Sequence, residues 1–477
     1  MAKLGYPFTL GVASGEPLPS GVILWTRLAP EPLHSDPDRP GGMPERPVEV
    51  QWQVAADEAF TRIVRHGTKW ATADDAHSVR VRVDGLHNAT DYYYRFLVTG
   101  PFAAANSPVT SPVGRTRTAP GPMSTDPLTF GLVSCQRYEH GFYPALRHLA
   151  AERPDVVFHV GDYIYEYGKP ANPRPGRYMR PLTGGAAECK TLHAYRNRYA
   201  LYRMDPDLQA AHAAAPWVPT WDDHEVRDNY RGGLPGDGSD PAAFMRRRTD
   251  AYQAYFEHMP LRAAPAEEAL QIYRRCSYGE VADFMVLDVR QYRSDTSMLG
   301  AAQEEWLLSR LRGTMARWSV LVQPLFFAKR VIPGRDPGAR SDAWDGYPAF
   351  RDRLIAARPR GLVVLSGDVH DHWAAEIKAD FADPASPAVG VEFVGTSVTS
   401  KPPETDVPAV LAANPHLKFH DGRRGYVMGK VSMDSFEVSH RVVESTDSRE
   451  SPVSTAATFG VEDGRLVRKD KPGTPAV

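Results

Sequence analysis

The chain has 477 residues, too many for one ordinary hydrophobic core, so two domains are the natural expectation. Its composition, 42% hydrophobic and 24% charged with a mean hydropathy of -0.41, is that of an ordinary globular protein, and no apolar run is long enough to span a bilayer. A formal net charge of -2 excludes a general basic field for nucleic acid or anionic membrane, although a local cation site still accommodates an anionic ligand. Residues Met1 to Gly5 carry no signal-peptide pattern, which fits a start after leader removal and a cytoplasmic start equally well. Three cysteines, Cys135, Cys189 and Cys276, allow at most one bridge and do not describe a disulfide scaffold.

In Val48 to Val54 apolar and polar residues alternate, which predicts a strand with one dry and one wet face. Val79 to Val83 repeats the pattern, and Tyr92, Tyr94 and Phe96 repeat it with aromatic side chains. Short alternating strands separated by turns predict an antiparallel β-sandwich of the immunoglobulin or fibronectin kind over residues 1–122. Arg115 to Pro127 is polar and proline-rich and reads as a linker. Beyond it, Leu128 to Val133, Val156 to Val160, Phe284 to Leu287, Val320 to Val322 and Leu362 to Leu365 are apolar without alternation, as strands covered on both faces are. Tyr143, Leu146, Leu149 and Ala150 share one helix face, as do Trp306, Leu307 and Leu311. Residues 123–477 therefore read as a layered α/β domain, with long inserts at 166–215 and 231–280.

Chemistry-bearing residues follow the buried runs. Cys135 follows the first, Asp162 and Tyr165 the second, Trp221-Asp222-Asp223-His224-Glu225 the stretch Trp217 to Thr220, Asp288 and Arg290 the run ending at Leu287, and Asp368 and His370 the run ending at Leu365. Ligands of α/β sheets gather outside the carboxyl ends of strands, so one convergent polar site is expected. Taken singly, an aspartate after a strand is more often a helix N-cap, and Gly-Asp is a common turn. Asp368 and His370, two apart, would share a strand face. Three carboxylates and an imidazole in Trp221 to Glu225 repel and desolvate one another unless cations or hydrogen bonds compensate. His140, His159 and His212 read as packing histidines, and His372 as a support for His370. Trp344 to Pro348 reads as a turn lining the pocket, where its aromatics would favour an apolar or cationic leaving group. Cys189 and Cys276 read as structural or paired.

The Gly-Asp-x-x, Asp-Asp-His-Glu and Gly-Asp-x-His signals are similar to calcineurin-like metallophosphoesterase motifs, and the variant set resembles the PhoD alkaline phosphatase family. The stretches that carry the resemblance are Gly11 to Pro17 with Leu24 to Arg27, Ser134-Cys135-Gln136, Gly161 to Tyr165, Trp221 to Glu225, Leu287 to Arg293, and Ser366 to His370, which together span nearly the whole chain. The resemblance implies hydrolysis of phosphate esters by a metal-bound hydroxide at a centre of ferric iron (Fe3+) and calcium (Ca2+). It places Cys135, Asp162, Tyr165, Asp368 and His370 around the iron, and Asp162 and Asp223 at the calcium, with Asn229 as a further oxygen ligand. His224 is then a candidate to protonate the leaving oxygen or bind phosphate, or else to orient a ligand. Arg290 is a candidate to hold phosphate, or else a structural partner of Asp288. A phospholipase D-like or glycerophosphodiester hydrolase is the alternative on the same scaffold. A phosphate- or glycan-capturing protein with an inactive α/β domain is a further one. The resemblance also implies secretion and a small-molecule or lipid phosphate ester as substrate; the charge balance speaks against a nucleic-acid partner, and the sequence leaves the oligomeric state open.

Overall fold

The computed structural model describes residues 4–102, 107–169, 180–185, 187–266, 269–335, 342–383 and 385–470. Leu128–Val133, Val156–Val160 and Pro216–Thr220 lie side by side and parallel within a ten-stranded sheet. Ala282–Val286, Trp318–Val322, Leu362–Ser366 and Ala388–Val394 run parallel within a seven-stranded one. The sheets face each other across a core in which Phe158 meets Phe284 at 4.6 Å between ring centroids and Phe130 meets both. Helices Pro144–Glu152, Leu192–Arg203, Pro206–Ala214 and Pro241–His258 cover the outer side of the first sheet, and Gly300–Gly313 and Pro348–Ala356 that of the second. Both faces of each central strand are thus buried, which is why those runs lack alternation.

The alternating segments form the strands Val48–Ala55, Ser78–Asp84 and Asp91–Val98, with Tyr92, Tyr94 and Phe96 buried. They do not make a detached module. Val12–Leu18, Gly21–Arg27 and Ser78–Asp84 extend the ten-stranded sheet, and Ser14 pairs in parallel with Pro216. A five-stranded antiparallel sheet containing Val48–Ala55 and Asp91–Val98 packs on this extension.

Three local expectations are corrected. Arg115 to Arg117 is not linker: Gly114–Arg117 is a strand paired with Asp91–Val98, where the nearly buried Arg115 reaches Asp91 at 2.8 Å. Trp344 and Tyr347 are buried in the core beneath Gly300–Gly313 and Pro348–Ala356 rather than exposed in a turn, with Trp344 Nε1 donating to Gln323. Cys135, Cys189 and Cys276 are all free and buried, so Cys189 and Cys276 are not paired.

Candidate metal centre

The parallel strands of both sheets deliver their loops to one edge. Close approach there explains two glycines: a Cβ on Gly161, at φ 87°, would meet Asp222 Cβ at 2.5 Å, and one on Gly367 would meet Ser134 Oγ at 2.6 Å. The residues that follow are in left-handed backbone despite their side chains: Cys135 (φ 56°), Asp162 (58°), Asn229 (55°), Asp368 (64°) and His370 (62°). Such conformations cost roughly 1–2 kcal/mol each and persist where the surroundings over-determine them, characteristically at functional sites. Asp368 and His370 therefore do not share a strand face as expected. The strand ends at Ser366, both residues turn in the loop, and the next strand begins at His372.

Two groups of potential ligand atoms form, each with all its atoms within 4.8 Å of one another: Cys135, Asp162 and His370, and then Asp162, Asp223 and His224. Asp162 belongs to both. Tyr165 adds its hydroxyl to the first group, donating to Asp162 Oδ2 at 2.7 Å, 3.2 Å from His370 Nε2, and accepting from Ser400 Oγ at 2.7 Å. His370 Nδ1 is tied to the Lys401 carbonyl at 2.7 Å, which leaves Nε2 facing the group. Asp368 falls in neither group, although its charge is close enough to raise the Cys135 thiol. Asn229 is exposed. Its amide donates to Asp228, and only its backbone N–H reaches the site, at 2.6 Å from Asp223 Oδ2.

Residues without an assigned role brace these groups. Glu225 is a buried staple: Oε2 accepts the N–H groups of Asp162 and Asp222 (3.1 and 2.9 Å), and Oε1 that of Tyr163 (2.6 Å). Glu166 holds His224 Nδ1 at 2.8 Å and the Asp228 N–H at 2.8 Å. Glu225 was visible inside the Trp221 to Glu225 motif, and Glu166 adjoins Tyr165. Ser400 carried no local signal, being 235 positions from its partner.

Arg290 is fully buried, and its side chain does not pair with Asp288 as expected. Nε meets Asp222 at 2.5 Å, the fork takes Asp342 at 2.7 and 3.1 Å, and Asp223 lies at 3.6 Å. Asp288 instead accepts the Arg290 backbone N–H at 3.0 Å. Each nitrogen of the fork thus meets a carboxylate.

The electrostatics are lopsided. Burial, then neighbouring carboxylates, push Asp162 and Asp222 well above the usual carboxylate range, with His224 and Arg290 respectively opposing the rise. Burial and Asp223 raise Asp368 to about 7, and burial raises Glu225 to about 7 against its three N–H donors. Burial also acts on Asp223, but Arg290, His224 and the Asn229 N–H outweigh it and hold it at about 2. Burial opposes charge on His224, yet Asp223, Glu166 and Asp162 together push it well above an ordinary imidazole. Asp162 Oδ1 is buried with no partner. An acidic, thiol- and phenol-bearing cluster with a buried carboxylate oxygen that no described residue partners fits cations.

Two solved structures share this fold. The solved structure of purple acid phosphatase PPD1 from yellow lupin matches with a TM-score of 0.60 at 11% identity, over 95% of this chain and 73% of that one. A PhoD structure matches with a TM-score of 0.89 at 43% identity, over 99% and 94%. Alkaline phosphatase D of Bacillus subtilis (strain 168) is 44% identical, covering 98% of this chain and 82% of the relative. The PhoD-like phosphatase family matches residues 130–440, and its N-terminal domain matches residues 2–120. The chain belongs to the PhoD-like phosphatase family and is a hydrolase of phosphate esters. These relatives do not favour the phospholipase D-like alternative. Among the described residues, no helix is long and apolar enough to cross a membrane.

Proposed function

We propose that the chain hydrolyses phosphomonoesters at a centre where Asp162 would help to hold two cations. In this reading Cys135, Asp162, Tyr165 and His370, with Asp368 beside them, hold iron(III), and Asp162 and Asp223 hold calcium. The observation that carries it is the shared carboxylate: Asp162 is common to both ligand groups and has one buried oxygen without a partner. Iron(III) is hard and suits carboxylate and phenolate, a nearby cation deprotonates a buried thiol, and calcium takes oxygen ligands. Such cations, when bound, neutralise charge on phosphoryl oxygens and acidify water.

The chain's own residues supply the remaining steps. Glu166 fixes Nδ1 of His224, so Nε2 carries the proton that passes to the leaving oxygen. Arg290 acts by holding Asp222 and Asp223 in position. Asn229 acts through its N–H, which orients Asp223. Glu225 locks the loops of Asp162 and Asp222 together. His372, buried and bonded to the Arg441 carbonyl at 3.1 Å, anchors the strand after His370. Export from the cell belongs to the same proposal, on family membership alone, and fractionation of the native host tests it.

Turnover of p-nitrophenyl phosphate, bis-p-nitrophenyl phosphate and phosphatidylcholine, compared side by side, tests the substrate reading. Rapid monoester turnover with little of the other two is expected, and the reverse order overturns it. Iron bound by Tyr165 gives a visible charge-transfer band that Tyr165→Phe removes. A colourless protein with stoichiometric zinc overturns the iron assignment while leaving hydrolysis in place.

A further inference from the structure

The segment 323–332 leaves the strand Trp318–Val322 at the same sheet edge as Asp368 and His370, and Gly367 N–H donates to the Pro324 carbonyl at 2.6 Å. Its backbone is pinned almost residue by residue. Buried Glu392 accepts the N–H groups of Phe327 and Ala328 at 2.8 Å each, and the Ser366 hydroxyl at 2.5 Å. Asp345 accepts the Arg330 N–H at 2.8 Å and is itself held by Arg351 at 2.6 Å. Asn414 clamps Val331 from both sides, at 2.9 and 2.7 Å.

All this anchoring fixes the main chain of Arg330 and leaves its side chain unspent. The guanidinium carbon lies 4.5 Å from the Phe326 ring centroid, and the group makes no hydrogen bond or ion pair to a described residue. Burial weakens its hold on the proton, and Asp368 is the strongest of the charges that oppose this. Arg290, by contrast, has every arm of its fork on a carboxylate. A partly buried guanidinium that no described carboxylate engages by hydrogen bond or ion pair, held on a rigid backbone at this sheet edge, is preorganised for an anion.

We propose that Arg330 is a substrate-binding residue whose guanidinium takes non-bridging oxygens of the phosphoryl group, favouring the doubly charged monoester over the singly charged diester. The planar fork matches paired phosphate oxygens, and a third non-bridging oxygen strengthens the contact. This inference rests on the phosphatase reading above.

Arg330→Gln and Lys329→Gln remove the same charge from adjacent positions of one segment. The quantities measured are kcat/KM for p-nitrophenyl phosphate and bis-p-nitrophenyl phosphate, and the affinity for inorganic phosphate by inhibition and by calorimetry. Arg330→Gln is expected to lose about 10- to 100-fold on the monoester, the range for deleting a hydrogen bond to a charged group, and a similar factor in phosphate affinity. It loses clearly less on the diester, and added guanidinium ion restores part of the monoester rate. Lys329→Gln stays within about 3-fold of wild type, as expected for a charge that touches no substrate. Melting temperature and metal content match wild type in both, and Arg330→Lys, which keeps the charge, falls between. Arg330→Gln within about 3-fold of wild type in rate and phosphate affinity, or Lys329→Gln falling as far, overturns the assignment. Absence of wild-type turnover would count against the phosphatase reading, while calorimetry with phosphate would still decide the role of Arg330.

Discussion

Where the N-terminal strands meet the helices, the buried carboxylates Glu257, Glu16 and Asp205 each have an arginine. Arg196 grips Glu257 through Nε and Nη2 at 2.7 and 2.6 Å, Arg274 reaches Glu16 at 2.5 Å, and Arg180 reaches Asp205 at 2.8 Å. At the candidate metal centre the count fails. Asp162, Asp222, Asp223, Asp368 and Glu225 share the guanidinium of Arg290 and the raised imidazole of His224, with Arg330 acting on Asp368 without an ion pair. The first region is complete in itself and makes structure. The second is short of positive charge, a deficit that suits it to cations.

The contrast breaks most visibly at Asp162. Asp162→Ala should lower turnover by about 1,000-fold or more, because one change disrupts both ligand groups. Cys189→Ser, at a buried thiol outside both groups, should keep turnover within about 2-fold. Retained activity in Asp162→Ala would move the centre elsewhere.

Next in size, Arg196→Gln and Arg290→Gln should each cost about 3–5 kcal/mol in urea unfolding, since each strands a buried carboxylate. Only the cost of Arg290→Gln should change with chelator, because cations share its task. Equal chelator dependence in both would erase the distinction.

The most gradual effect concerns acid stability. His159 is buried with neither ring nitrogen partnered, and burial lowers it from 6.5 to about 3. The unfolded chain takes up this proton below 6.5 while the folded one refuses it until about 3, so stability is present above 6.5 and is lost as pH falls through that window. The slope is at most about 1.4 kcal/mol per pH unit. His159→Phe, keeping a ring against Trp217 and Tyr163, should flatten the melting curve against pH between 6.5 and 3. An unchanged slope would show that His159 is not a source of acid lability.

Much of this was legible in the sequence, for identifiable reasons. Leu128–Val133 and Val156–Val160 are strands buried on both sides, so a mostly apolar run without alternation marks their limits. Asp162, Tyr165, Asp223 and His224 stand just beyond such runs, where the sheet edge gathers them. What escaped detection depends on long-range closure. Ser400 and Asp342 meet Tyr165 and Arg290 only after folding, and nothing in their own neighbourhood marks them. The joining of Val12–Leu18 to Pro216–Thr220 is a parallel pairing across about 200 residues, which no local periodicity encodes. The turn that takes Asp368 and His370 off the strand is a backbone strain imposed by neighbouring loops, invisible in a two-residue spacing.

Elemental analysis of gently purified wild-type protein, beside Asp162→Ala, bears most directly on the shared carboxylate. The account predicts two metal equivalents per chain in the wild type, one for each ligand group, and loss of both in the variant. Less than one equivalent in the wild type, or two retained in Asp162→Ala, would contradict it.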